Sequence, residues 1–110
     1  MCIFCDIGSG KNKSEIVFED ELSVCFKDQN PQAPVHLLII PKKHIVSVDE
    51  INSSNSKIVQ KIFENIPKIA KEIGVDSYRI VSNIGSHAGQ SVMHLHFHIL
   101  GGRNFEWPPG

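Results

Sequence analysis

The sequence lacks the features of several broad protein classes. Lys and Arg total 11 against 12 Asp and Glu, a formal net charge of −1 with a pI near 6.6. A general nucleic-acid binder would carry a basic excess, so that class is not expected. No apolar run approaches the ~18 residues needed to cross a bilayer. The start, Met1-Cys2-Ile3-Phe4-Cys5-Asp6, has neither a basic opening nor a long apolar stretch, so a secretory leader is not expected and a cytoplasmic location is. Cysteines number 3, an odd count that argues against a disulfide framework and for a reducing compartment. Internal repeats and low-complexity tracts are absent too. What remains is an ordinary globular composition, 41% hydrophobic and 21% charged over 110 residues. That length fits a single domain, 1–110, with one modest core that a metal staple or a subunit interface would help.

The apolar pattern predicts an α+β domain with a mostly antiparallel sheet. Residues 16–18 and 22–26, separated by Glu19-Asp20-Glu21, read as a hairpin whose second strand turns Leu22, Val24 and Phe26 to one side. Prolines and amides make 28–34 a loop, and the unbroken run 36–40, stopped by Pro41, reads as a buried central strand. Ile58, Ile62, Ile66, Ile69 and Ile73 recur at helical spacing, predicting an amphipathic helix over 53–73 that ends at Gly74. Pro67 lies inside that helix and is expected to kink or split it. Segments 78–84 and 92–100 read as strands joined by a Gly- and Ser-containing loop, 85–91.

The most informative stretch is Met93-His94-Leu95-His96-Phe97-His98-Ile99-Leu100. Side chains alternate along a strand, so Met93, Leu95, Phe97 and Ile99 should pack on the core. His94, His96 and His98 then form a row on the other face. A lone histidine is most simply a satisfied polar residue, but three in register ask for chemistry. Two neighbours at i and i+2 could chelate a zinc ion, whereas the outer pair lies too far apart to share it without a bend. The alternative is nucleophilic and acid–base work on an anion, since neutral imidazole attacks phosphorus well at cell pH. The adjoining loop, with Gly85, Gly89, Gln90 and Ser91, offers backbone and side-chain donors suited to phosphate oxygens and favours the second reading.

At these residues the sequence resembles the histidine triad (HIT) family, marked by His-x-His-x-His followed by apolar residues. The resemblance extends through Asp28, Pro31-Gln32-Ala33-Pro34, His36, Ile40-Pro41-Lys42-Lys43-His44, Asn83 and Gly89-Gln90-Ser91. The tail, Gly101-Gly102-Arg103 and Trp107-Pro108-Pro109-Gly110, resembles the histidine-triad nucleotide-binding (Hint) branch. The resemblance implies a HIT-like fold, with a five-stranded antiparallel sheet, one main helix and short helical segments. It also implies a homodimer that merges two sheets into a ten-stranded one. The implied activity is binding of purine nucleotides and hydrolysis of nucleoside 5′-phosphoramidates, with aminoacyl adenylates as further substrates. His96 matches the nucleophile on the α-phosphorus, and His98 its phosphate-contacting, proton-handling partner. His36 matches a supporting histidine. Asn83, Gly89, Gln90 and Ser91 match positions at the phosphate and leaving group, Ser91 among the catalytic ones. Asp28 matches the carboxylate that receives the ribose hydroxyls and is expected to leave the chemical step alone. Ile3, Phe4 and Ile7 match the apolar wall of the base pocket.

The pair Cys2-x-x-Cys5 has the bite of a zinc knuckle without a second pair to complete a finger. In relatives that carry it, the resemblance implies a structural zinc held by Cys2, Cys5, His44 and His94, a closed Cys₂His₂ set not required for the chemistry. A free or redox-active dithiol is the rival reading. Cys25 is expected in the core, His87 exposed, and Lys42 and Lys43 in a solvated turn. Trp107 is either a tail residue or a rim residue reaching a partner subunit. Two other functions compete with phosphoramidate hydrolysis. One is cleavage of dinucleoside polyphosphates, which the Trp-Pro-Pro-Gly end argues against. The other is a nucleotide-binding interaction module with incidental activity.

Overall fold

Strand β3 (Val35–Pro41) is buried from His36 onward because both faces of the sheet it centres are covered. The computed structural model describes residues 2–12 and 14–110. Its elements are helix α1 (Ile3–Ser9), strands β1 (Ile16–Glu19), β2 (Ser23–Lys27) and β3, helix α2 (Ser56–Ile73), and strands β4 (Tyr78–Val81) and β5 (Phe97–Gly101). Short 3₁₀ turns lie at Val48–Glu50 and Ser86–Ala88. The five strands form one sheet in the order β1-β2-β3-β5-β4, and every pairing is antiparallel. This is the HIT-like architecture the resemblance implied.

Alternation along the strands sorts residues between two cores. Cys25, Leu37, Ile39, Leu95, Phe97 and Ile99 meet Ile62, Ile66 and Ile69 of α2. Val24, Phe26, Leu38 and Ile40 meet Phe4 and Ile7 of α1 on the opposite face. The hairpin therefore departs from the one-sided pattern. Leu22 sits in the turn, 40% exposed, whereas every residue from Ser23 to Phe26 is buried because α1 covers the second face. That turn is tied to α2 through Asp20, which accepts hydrogen bonds from Leu22 N, Ser23 N, Ser23 Oγ and Asn65 Nδ2. Burial alone would raise the Asp20 carboxyl, but these donors hold it below its ordinary range.

Helix α2 begins at Ser56 rather than 53 and runs unbroken through Pro67. Pro67 removes a donor to the Phe63 carbonyl, but both residues are exposed, so water can replace the missing partner. Gly74 closes the helix at φ +83°, a conformation glycine adopts without penalty, with its N–H bonded to the Ala70 and Lys71 carbonyls. Strand β5 starts only at Phe97. Residues 91–96 are outside the ladder, held instead by Leu95 N–H donating to the Ile45 carbonyl. Leu95 is buried as expected, but Met93, lying before that anchor, is 45% exposed. Among the described residues no helix is long and apolar enough to cross a membrane.

Candidate active site

Sheet register assembles the site. Phe26 pairs with Leu38, Leu38 with His98, and His98 with Val81, so these residues lie at one level across β2, β3, β5 and β4. Helix α1 roofs this row. Its Phe4 ring lies 5.6 Å from that of Phe26 and 5.2 Å from that of His96, both edge-on. A cleft of about 270 Å³ opens between them. Ile3, Phe4, Ile7, Phe26 and Leu38 form its apolar side, and Asp28, Asn83, Gly89, Ser91, His96 and His98 its polar side. Gly89 has φ +99°, and an added Cβ would lie 3.4 Å from Asn83 Nδ2, so glycine keeps this rim open.

Hydrogen bonds assign the imidazole tautomers. His96 Nδ1 lies 2.7 Å from the His94 carbonyl and must donate to it, which leaves Nε2 with a free lone pair. His36 Nδ1 accepts from Gln32 N–H at 3.0 Å, so its Nε2 carries the proton and donates to His98 Nδ1 at 2.9 Å. His98 is thereby left with Nε2–H. The two cleft imidazoles thus differ: His96 has a bare nitrogen, and His98 a polarised donor. Their ring centroids are 5.1 Å apart. Burial, then the charges of His96 and His36, push His98 down to about 4 against the opposing pull of Asp28. Burial also lowers His36. Both are therefore neutral at cell pH.

Asp28 accepts from Asn30 N–H through Oδ1, while Oδ2 lies 3.4 Å from His36 Nε2 and 3.9 Å from His98 Nδ1. The carboxylate faces the cleft and the histidine pair together. It therefore lies within electrostatic reach of both imidazoles.

His94 lies on the same face, its ring 6.0 Å from that of Phe4, but outside the cleft. It is fully buried, with Nε2–H donating to the Pro41 carbonyl at 2.8 Å. Its Nδ1 lone pair lies 3.3 Å from Cys2 Sγ and 3.4 Å from Cys5 Sγ, and His44 Nδ1 lies 3.2 Å from Cys5 Sγ. All four ligand atoms fall within 4.8 Å of one another. Zinc bonds of roughly 2.3 Å to sulfur and 2.0–2.1 Å to nitrogen place tetrahedral ligands about 3.5 Å apart, so these residues fit a zinc ion. The Pro41 contact fixes the tautomer such a ligand needs. Burial, then the Cys2 thiol, raise Cys5 above its ordinary value, an effect that a bound divalent cation would outweigh.

The family model described as "Scavenger mRNA decapping enzyme C-term binding" matches residues 1–105. An uncharacterized HIT-like protein of Synechocystis is 43% identical over 98% of this chain and 96% of its own. A HIT family hydrolase from Legionella pneumophila superposes with a TM-score of 0.96 at 45% identity, covering 100% of both chains. A hypothetical histidine triad nucleotide-binding protein from Sulfolobus tokodaii gives 0.79 at 30% identity, covering 97% of this chain and 72% of that one. The chain belongs to the HIT family.

In this HIT protein the structure brings Ile3, Phe4, Ile7, Asp28, Asn83, Gly89, Ser91, His96 and His98 around one cleft, with His36 behind His98. Cys2, Cys5, His44 and His94 gather in a separate cluster. Gln90 belongs to neither. It is 4% exposed, its Nε2 donates to the Val46 and Val92 carbonyls, and its Oε1 accepts from Gly85 N–H. Its amide locks the loop and has no reach to a phosphate. Sequence reasoning missed Asn12, Ser14, Phe26, Lys27, Gln29, Leu38 and Val92 as lining residues. The even positions of β2 and β3 were the available signal for Phe26 and Leu38; Asn12 and Ser14 gave none. Cys25 is wholly buried, its thiol pushed up to about 12 by desolvation. Lys42 pairs with Glu19 at 2.7 Å, and Lys43, His87 and Trp107 are exposed.

Proposed function

We propose that this HIT protein is a nucleotide-binding hydrolase that cleaves the P–N bond of purine nucleoside 5′-phosphoramidates, and the P–O bond to the acyl group of aminoacyl adenylates. The observation that carries this reading is the His96 tautomer: Nδ1–H is engaged by a carbonyl, and Nε2 is bare in a cleft beside the His98 donor. The likeness to a HIT family hydrolase and to a histidine triad nucleotide-binding protein supports it.

The base lies along Ile3, Phe4 and Ile7, and the ribose hydroxyls approach Asp28. The α-phosphate sits between His96, His98, Ser91 and Asn83. His96 Nε2 attacks phosphorus as the P–N bond breaks, forming a nucleotidyl-histidine. The amine departs with a proton taken from solvent at the mouth of the cleft, and the water that cleaves the intermediate returns it. The His98 donor and the loop amides hold the oxygens as charge develops.

The Cys2, Cys5, His44 and His94 set would bind a structural zinc, joining α1 to the strand that bears His96. Its closed set supplies rigidity and no open position for chemistry. The edge strand β4, with Ile80 and Ile84 half exposed, is the seam at which two copies would join their sheets.

A fluorogenic adenosine 5′-phosphoramidate tests the reading. Wild type should turn over, and His96→Asn should lose at least ~10²–10³-fold in kcat/KM. Preferred turnover of diadenosine tetraphosphate would move the assignment to dinucleoside polyphosphates. Binding without turnover of either would leave a nucleotide-binding module.

A further inference from the structure

We propose that Asn12 reads the edge of the base and makes the cleft select adenine over guanine, an inference that rests on the nucleotide reading of the same cleft. The wall against which the base lies is apolar, and flat contacts with Ile3, Phe4 and Ile7 do not distinguish one purine from another. Discrimination needs a polar group at the edge of the ring, away from the reacting phosphate.

The order along α1 locates that group. Phe4 touches His96. Ile7 lies three residues on, about 4.5 Å further along the axis. The chain then turns at Gly10, and Asn12 N–H is bonded back to the Asp6 carbonyl at 3.0 Å. Asn12 is thus anchored at the end of the wall remote from the nucleophile, half-buried and lining the cleft. Among the described residues the other polar liners do not compete. Lys27 Nζ is held by Glu15 at 2.8 Å. Gln29 is exposed and adjoins the ribose carboxylate Asp28. The Ser14 hydroxyl donates or accepts with equal ease and does not discriminate.

A carboxamide presents one donor and one acceptor in a plane. Adenine matches both, with N7 as acceptor and the N6 amino group as donor. Guanine offers two acceptors, N7 and O6, along the same edge, which sets the Asn12 oxygen against O6. The mismatch amounts to about tenfold in affinity.

Calorimetric titration of the full-length protein with AMP and with GMP tests this. Wild type should bind AMP about tenfold more tightly, and Asn12→Leu should bring the ratio near unity. Asn12→Asp replaces the donor with a second, charged acceptor, which still takes the adenine N6 amino group but opposes both N7 and O6 of guanine, so the preference for AMP should widen. A merely structural role for Asn12 produces no such widening. Equal binding of the two nucleotides by wild type, or a ratio unchanged in either variant, overturns the inference and leaves the nucleotide reading standing. Binding of neither overturns both.

Discussion

A single backbone carbonyl fixes the tautomer of His96. By accepting from His96 Nδ1–H, the His94 carbonyl frees Nε2, while His36 dictates the opposite outcome at His98. The same network has a consequence for stability. The folded value of His98, about 4, is set by burial and by the facing His96, His36 and Asp28, and lies below the ~6.5 of the unfolded chain. The folded protein therefore binds fewer protons in that interval. Its stability is greatest above about pH 6.5 and declines as pH falls to about 4. Urea denaturation should show this slope, and His98→Asn should flatten it. An unchanged slope would place the titration elsewhere. At this scale the sequence was partly readable. The alternation of histidines with Leu95, Phe97 and Ile99 showed which side chains face apart. It could not show that Gln90 spends its amide on backbone groups of residues 46, 85 and 92, because such partners are set only by the folded chain.

Helix α1 links the two functional features, with Cys2 and Cys5 on the candidate metal cluster and Phe4 and Ile7 on the cleft. Seven residues are too few to form a stable helix alone, so its position depends on docking, which a zinc ion at the proposed site would reinforce. Purified protein should carry one zinc per chain by elemental analysis. The Cys2→Ser, Cys5→Ser double variant should lose it, melt several degrees lower and bind AMP more weakly. A metal-free native protein, or a double variant with unchanged melting and binding, would count against the clamp. The sequence marked Cys2 and Cys5 by their spacing but no helix there, since Ile3, Phe4 and Ile7 are too few apolar positions to fix a period. The hairpin itself is present, and that omission explains the misjudged burial of its second strand: a strand covered on one face alternates, and β2 is covered on both. Helix α2 was legible because its isoleucines span several turns. The exposure of Pro67, which lets the helix continue, was not.

For the whole molecule, the sheet ends in the short strand β4, which among the described residues has no strand on its outer side, beside the half-exposed Ile80 and Ile84. Such an edge is covered or paired in most stable proteins. Light scattering at micromolar concentration should therefore give twice 12.3 kDa. A Lys at position 80 should shift the protein toward the single-chain mass. A wild-type monomer would contradict the paired sheet. The central β3 run and the antiparallel order could be anticipated from sequence. The cleft itself could not, because Phe26, Leu38 and His98 meet only through the register of three strands distant in sequence.

The nucleotidyl-histidine is the most direct test of the account. Rapid acid-free quenching of wild type with an adenosine 5′-phosphoramidate, followed by peptide mass mapping, should find one adenylyl group on His96 and none on His98 or His36. The His96→Asn protein should carry no adduct and show no appreciable turnover. Full turnover by that variant, or an adduct mapped to another histidine, would contradict the assignment of His96 as nucleophile.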